Sequence, residues 1–444
     1  MSSRTIIILI NLAVVAALVG FLVYRVVSTK RNPGEKTPDN LTPFFDDEVL
    51  EGAHLERVLG VALVALVIVL LGMVGYFMRE PFRSAEADTA FLDRSVERGA
   101  VLFANPASEE YSSTVSLQCA NCHGVDGGGG VAPTRIKSSD PRCTPAPGEQ
   151  AKTAEQSVAD GELYCLSTPV SWAAPNLQLA SLRYSKEEIT QIITYGRPGT
   201  PMPAWGVLSG RGSLNTQSID DLVNYVESIG VSSDKAKKDA DKDVDKLTET
   251  LSDPKVAVAA DDWVAKTTAA EAAAQASLDR LGPVGLFPSD AQTQAQNYLA
   301  YAQEQLTAAT EWRKTVRQAS KGQKLFMNNC ARCHTRGWSY FDPLHPDVTA
   351  QGTMGGGAFG PNLRNGDVNA QFSPPNGEAE LFAWISVGAE AYAGYGNRGI
   401  SSGRMPHFGA VLTKEQICEI MDYERNIDDP PASTASAANC LPSS

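Results

Sequence analysis

The sequence predicts a mainly α protein: two N-terminal transmembrane helices, then two related helical modules with a helical insertion between them. Three observations predict it. Two long apolar runs lie near the N-terminus, the pattern Cys-x-x-Cys-His occurs twice with matching surroundings, and the stretch between the copies is dominated by Ala, Gln, Glu and Leu, all good helix formers. The 444 residues exceed a single core and suit roughly two or three domains. A net charge of −13 excludes the basic footprint of a nucleic-acid binder. An acidic surface suits solubility and, equally, the steering of a basic partner.

The first apolar run covers residues 6–27 and is broken only by Asn11 and Tyr24; the second covers 58–78. Each has the roughly 20 residues that a helix needs to cross a bilayer. A cleaved signal peptide is the competing reading of the first run, but the run is longer than a usual signal core and no small-x-small cleavage site precedes Arg25. Arg25, Lys30, Arg31, Lys36 and Arg57 lie between the runs, so the positive-inside rule places that loop in the cytoplasm and both ends outside. Residues 1–87 are therefore expected to anchor a multi-pass protein in the cell membrane, with everything after Arg79 extracytoplasmic. His54 reads as an ordinary interfacial side chain.

Residues 88–230 form the first module. A helix over Asp88–Ala104, burying Phe91, Val96, Gly99, Ala100 and Phe103, leads to Cys119-Ala120-Asn121-Cys122-His123. This is the attachment pattern for a c-type haem: Cys119 and Cys122 add to the vinyl groups and His123 is placed to ligate the iron. A disulfide, zinc or redox pair has the same cysteine spacing, and the repetition of the whole pattern weighs against those readings. Pro175, in Ala174-Pro175-Asn176-Leu177, offers a carbonyl to the ring N–H of the haem histidine. A helix over Ser185–Tyr195 precedes Arg197 and then Met202, the expected second axial ligand. A core gap-filling role is the alternative for Met202. A helix over Leu214–Ile229, with Ile219, Leu222, Val223, Val226 and Ile229 on one face, closes the module. Within it, residues 127–172 read as a Gly-, Pro- and Ser-rich insertion carrying Cys143 and Cys165.

Residues 231–314 read as a helical excursion. In Ser232–Ser252, Asp234 stands four before Lys238, and Asp239 and Asp243 three before Lys242 and Lys246, spacings that favour an exposed helix. Two further helices, Asp261–Arg280 and Asp290–Ser320, are separated by Gly282-Pro283 and residues 285–288. A docking arm, a spacer between the haems and a solvated insertion are all compatible with this composition.

Residues 315–427 repeat the first module. Gly322, Leu325 and Phe326 match Gly99, Leu102 and Phe103 ahead of Cys330-Ala331-Arg332-Cys333-His334. Gly360-Pro361-Asn362-Leu363 repeats the proline loop, a helix over Glu378–Gly388 follows, and Arg404-Met405-Pro406-His407 repeats the methionine loop. The expected iron ligands are His334 and Met405, with His407, His345 and Met354 as rivals to Met405. Arg197 and Arg404 could each pair with a haem propionate or be plain surface charges. A helix over Lys414–Arg425 closes the module, and residues 428–444 form a Pro-, Ser- and Ala-rich tail. Of eight cysteines, the motifs use four. The even remainder suits two disulfides outside the cytoplasm, with Cys143–Cys165 and Cys418–Cys440 as the favoured pairs.

The order of helix, haem motif, proline loop, methionine loop and closing helix resembles class I cytochrome c, which implies two cytochrome c domains. The whole chain resembles the membrane-anchored dihaem c-type cytochrome subunits of bacterial respiratory complexes and is similar to the cytochrome cc subunit of actinobacterial quinol:cytochrome c reductase. The dihaem electron-entry subunit of cbb3-type haem-copper oxidases is the alternative. The long insertions and disulfides suit a subunit packed into a larger assembly and favour the reductase. The resemblance implies two covalently bound haem c groups, electron transfer with no catalysis by the isolated chain, and as partners the membrane, a Rieske protein, cytochrome b or oxidase subunits, and a soluble redox protein. A dihaem peroxidase is a third reading; it needs an open iron position.

Overall fold

A computed structural model describes residues 52–145, 149–391 and 405–428, together with Cys440 and a few helical positions between 16 and 27. Most of the first apolar run, the loop after it, Arg404 and most of the tail lie outside the described residues. The chain divides into two units, Met1–Ala87 and Asp88–Ser444.

In the first unit the described residues belong mainly to helix α1, Ala53–Phe103, whose end continues into the second unit. The stretch Leu55–Phe103 contains an 18-residue window of mean hydropathy 2.9, long and apolar enough to cross a membrane. Among the described residues it is one such helix. The helices expected over 58–78 and 88–104 are continuous in the structure, with Pro81 inside the joined helix. Apart from Pro81 and the cap-type Ser84, the residues between them sustain a helix, and no glycine stops the run.

The second unit is almost all helical. After α1 come a two-stranded hairpin, β1 (Gly130–Ile136) and β2 (Thr168–Ala174), then α2 (Lys186–Tyr195), α3 (Thr216–Ser228), α4 (Ser233–Ser252), α5 (Pro254–Arg280), α6 (Asp290–Gln318), α7 (Lys321–Asn329), α8 (Gly377–Val387) and α9 (Lys414–Arg425). The strands pair antiparallel from Gly130 opposite Ala174 to Ile136 opposite Thr168. The hairpin closes the insertion of the first module. Sequence alternation did not announce it, because Pro133 and Pro169 sit within the strands, which two-edged ribbons tolerate.

Ser, Thr and Asn caps set where the helices begin. Ser185 with Glu188, Ser289 with Gln292 and Thr413 with Gln416 form reciprocal capping boxes at the starts of α2, α6 and α9, satisfying N–H groups that the helix leaves unpaired.

The two modules repeat one helix crossing. The end of α1 meets α3 at Gly99, where an added Cβ would fall 2.0 Å from Asp221 O; α7 meets α9 at Gly322, where it would fall 2.0 Å from Glu419 O. Only glycine permits this approach. One turn on, Phe103 packs on Tyr225 with ring centres 5.1 Å apart, and Phe326 on Tyr423 at 5.2 Å. In the first module Asp221 also accepts from Ser95 Oγ at 2.6 Å and from both Arg98 Nε and Nη2 at 2.7 Å. Phe91, expected on the buried side, is 64% exposed, because burial on this helix begins at Ser95, where the contact with Asp221 starts.

The excursion is packed, not solvated. Helix α4 keeps its charges solvent-accessible, with Lys235 and Lys242 each 2.8 Å from Asp239, and buries Ala236, Val244 and Leu251. Ala236 and Val244 join the core of the second module with Phe326, Ile385, Ile417 and Ile420. The α5–α6 hairpin covers the same module elsewhere, with Trp263 and Trp312 clustering with Met327 and with Trp338 and Phe341. Arg364 clamps Glu311 of α6 at 2.6 and 2.9 Å. The insertion of the first module reaches this hairpin too, since the Arg142 guanidinium lies 3.9 Å from the Tyr164 ring centre and 3.7 Å from that of Tyr298 on α6. Disulfides join Cys143 to Cys165 and Cys418 to Cys440, the pairs favoured from the sequence.

Candidate functional site

Each Cys-x-x-Cys-His pattern folds into a single helical turn, Ala120–His123 and Ala331–His334. His123 N donates to Cys119 O at 3.0 Å and His334 N to Cys330 O at 3.1 Å. Residues three and four apart then share a face, which brings two thiols and an imidazole to one side of each turn. None of the four motif cysteines is in a disulfide. Burial pushes the Cys119 thiol up to about 12 and raises Cys330 and Cys333 as well, so these groups are held as thiols.

The proline loops reach back to the histidines. His123 Nδ1 lies 3.1 Å from Pro175 O and His334 Nδ1 2.9 Å from Pro361 O. A carbonyl only accepts, so Nδ1 carries the proton and Nε2 keeps its lone pair. Burial lowers both imidazoles from the usual histidine value, which favours this neutral, ligating form. In the second module Gly360 presses on the ring: a Cβ there would lie 2.7 Å from His334 Cε1.

Both motifs open on one cavity of about 1500 Å³. It exceeds the roughly 300–1,000 Å³ of an ordinary single-ligand pocket. Cys119, Cys122, His123, Pro175, Arg197 and Met202 line it from the first module, and Cys330, Cys333, His334, Pro361 and Met405 from the second. Pro406 and Phe408 line it as well, whereas His407, His345 and Met354 do not; His345 is exposed beside Asp342, with Nδ1 2.8 Å from Oδ2. Arg404 lies outside the described residues. Thus every described site residue expected from the sequence is brought to one cavity.

Sequence reasoning missed Arg183, Arg332 and Glu424, which also line it. Arg183 belongs to the first module and reaches the second. Its Nη2 donates to Asn329 Oδ1 at 3.2 Å, its guanidinium lies 5.4 Å from the Phe408 ring centre, and its buried Nε has no hydrogen-bond partner. Burial lowers Arg183 and Arg332 from the usual arginine value, and the charges of Arg183 and Arg197 act in the same direction on Arg332. Nothing in the local sequence of Arg183 marks it. Arg332, by contrast, sits inside the second motif, and Glu424 occupies a position at which the pattern Ile417, Ile420, Met421 calls for an apolar residue.

Two comparisons with known families bear on this geometry. Residues 96–230 match the family model described as cytochrome c, and residues 317–423 match the model described as cytochrome c oxidase, cbb3-type, subunit III. The chain carries cytochrome c domains. Such domains imply electron transfer and covalently bound haem c, and the two matches support a count of two. No curated protein and no solved structure matches the chain.

The residues present fit haem. Paired thiols, an imidazole with a free Nε2 and a methionine face the same space in each cytochrome c domain, among apolar residues such as Phe103, Ile189, Leu222 and Ile385. The unsatisfied Arg183 Nε and the nearby Arg332 and Arg197 suit the carboxylates of propionate groups.

Proposed function

We propose that this chain is a membrane-anchored dihaem cytochrome c that relays electrons within a respiratory chain, as the cytochrome c subunit of a quinol:cytochrome c reductase serving a terminal oxidase. One observation carries the relay: residues of both motifs and both methionine loops line a single cavity. On this reading residues 1–87 hold two spans with their connecting loop in the cytoplasm, and residues 88–230 and 315–427 are the extracytoplasmic haem domains. Residues 231–314 brace the second domain.

Cys119, Cys122, Cys330 and Cys333 would hold the two haems covalently; His123 with Met202, and His334 with Met405, would ligate the irons. Haem in these positions supplies one-electron chemistry at a metal whose potential a thioether ligand raises. The polypeptide does the rest. Pro175 and Pro361 orient the imidazoles, the apolar walls exclude water, and Arg183, Arg197 and Arg332 place positive charge where the two domains meet.

The match of residues 317–423 to a cbb3-type oxidase subunit favours a second reading, the electron-entry subunit of such an oxidase. A dihaem peroxidase needs an open iron position, and a methionine on the cavity wall of each domain argues against it. Purification of the chain from its native membrane with partners attached separates these readings. The reductase reading expects a copurifying cytochrome b and Rieske protein; copper-containing oxidase subunits without them would overturn it in favour of the second reading.

A further inference from the structure

We propose that Glu424 is a redox-linked proton site of the second haem domain, binding a proton when that domain is reduced and releasing it on oxidation. The inference rests on the haem-binding reading above. Glu424 is 5% exposed, on the inner face of α9, and it lines the cavity beside Cys330, whose thiol feels its charge. No hydrogen bond or ion pair reaches its carboxyl among the described residues. Glutamate is almost never left buried and unpaired, because a carboxylate without partners is costly to desolvate.

Several of the surrounding charges are engaged elsewhere, while the Nε atoms of Arg425 and Arg183 are buried without a hydrogen-bond partner. On α9 itself, Arg425 donates to Asn369 Oδ1 and Phe372 O, and the Tyr423 hydroxyl is buried. From α7, Lys321 pairs with Asp241 at 3.3 Å, and Lys324 sits one turn before Asn328. The short helix Asp367–Gln371 brings Asp367, which accepts from Asn362, and α8 brings Glu378 and Glu380 in its first turn. From α4, Lys235 and Lys242 pair with Asp239, and Lys246 with Asp243 at 3.6 Å. Arg364 is held by Glu311 and Asp428. Arg183, across the cavity, feels the Cys330 and Cys333 thiols. Burial alone pushes the Glu424 carboxyl up to about 8.

The first domain supplies an internal comparison. Gly99, Asp221 and Tyr225 correspond to Gly322, Glu419 and Tyr423 in the repeated crossing, so the counterpart of Glu424 is Val226. Val226 is 4% exposed and lines the same cavity. A site that needs only packing is filled by valine. The second domain places an ionisable group there instead.

The balance is simple. One electron, delivered by a one-electron donor, lowers the charge at the metal by one; the Glu424 carboxylate then binds one proton from water, forming an O–H bond. Oxidation reverses both. A less positive metal attracts the carboxylate less, so its proton affinity is higher in the reduced state.

The test uses the full-length holoprotein in detergent, titrated spectroelectrochemically with redox mediators from pH 6 to 9, after the haem content of the same sample is measured. Two c-type haems are expected, one with a pH-independent midpoint. The other should fall with rising pH near neutrality, by up to about 59 mV for each tenfold fall in proton concentration. Glu424→Gln and Glu424→Val should each flatten that dependence, the valine variant copying the packing of the first domain. Infrared difference spectra should show a protonated carboxyl appearing on reduction in the wild type alone. Two haems with a slope that persists in both variants, or with no slope in the wild type, would overturn the proposal. Fewer than two haems would overturn instead the reading on which it rests.

Discussion

Replacing Gly360 by alanine tests how the proline loop controls the second histidine. The new Cβ would lie 2.7, 2.9 and 3.0 Å from Cε1, Nδ1 and Nε2 of His334. Ordinary carbon contacts begin at about 3.4 Å, so the ring or the loop must give by roughly 0.7 Å. The 2.9 Å contact between His334 Nδ1 and Pro361 O has little slack for that. Crowding costs about 1–3 kcal/mol and a weakened hydrogen bond about 0.5–1.5, while the stiffer unfolded chain returns about 0.4–1; the net loss is about 2 kcal/mol. The first domain sets a limit on the damage. Ala174 stands at the equivalent position there, and the His123–Pro175 contact persists at 3.1 Å. Gly360→Ala should therefore loosen the second loop without losing the ligand. A weaker bond at Nδ1 makes the imidazole a poorer donor to oxidised iron, so the potential of the second haem should rise while the first stays fixed. Denaturant titration and spectroelectrochemistry of the detergent-solubilised chain read both effects, with Gly285→Ala, which has nothing within 4 Å, as the neutral control. Unchanged stability together with an unchanged or lowered second potential would refute the reasoning.

Further outcomes follow from the packing and the charges. Gly322→Ala drives a Cβ to 2.0 Å from Glu419 O, a backbone atom that cannot rotate away, and should cost about 2 kcal/mol or more of stability by denaturant titration, despite the better helix propensity of alanine. Opening the disulfide with Cys143→Ser and Cys165→Ser together releases a loop of sequence separation 22, which a chain-entropy treatment values at about 3 kcal/mol; protease nicking within residues 144–164 should rise while both haems are kept. In the haem-free chain, Glu424 keeps its proton to about pH 8 when folded, against 4.5 as the unperturbed value. The folded state then binds more protons than the unfolded one between these limits, so stability should fall as pH rises from about 4.5 to 8, and Glu424→Gln should remove that slope. Arg183→Gln, in the first domain, should lower the potential of the second haem, because removing a buried positive charge favours oxidised iron; an effect confined to the first haem would contradict its reach to Asn329 and Phe408.

Much of the site was legible because its chemistry is local in sequence. Cys119 to His123 and Cys330 to His334 carry their own spacing, and the proline and methionine loops follow in the same order in both halves. The repeated glycine and phenylalanine, four residues apart, marked the two approach helices as equivalent, and the structure adds that Gly99 and Gly322 lie where each crosses the closing helix. Elsewhere tertiary contacts decided what local pattern could not. The charge pairs on α4 announced an exposed helix, but its Ala236, Val244 and Leu251 stripe was too sparse to reveal that the other face is core. Arg183 carries no local signal, since its partners are Asn329 and Phe408. Glu424 did carry one: a carboxylate in the buried register of an amphipathic helix is an inconsistency of the kind that functional sites produce.

On the proposed function, both Cys-x-x-Cys-His turns, which face one cavity, hold haem covalently. The most direct test is the haem-to-protein ratio of the purified full-length chain under denaturing conditions, where only covalently attached haem stays with the polypeptide. Two haems per chain are expected, and one in a Cys119→Ala, Cys122→Ala variant or a Cys330→Ala, Cys333→Ala variant. A wild-type ratio of one or none, or a ratio unchanged by either pair of substitutions, would contradict it.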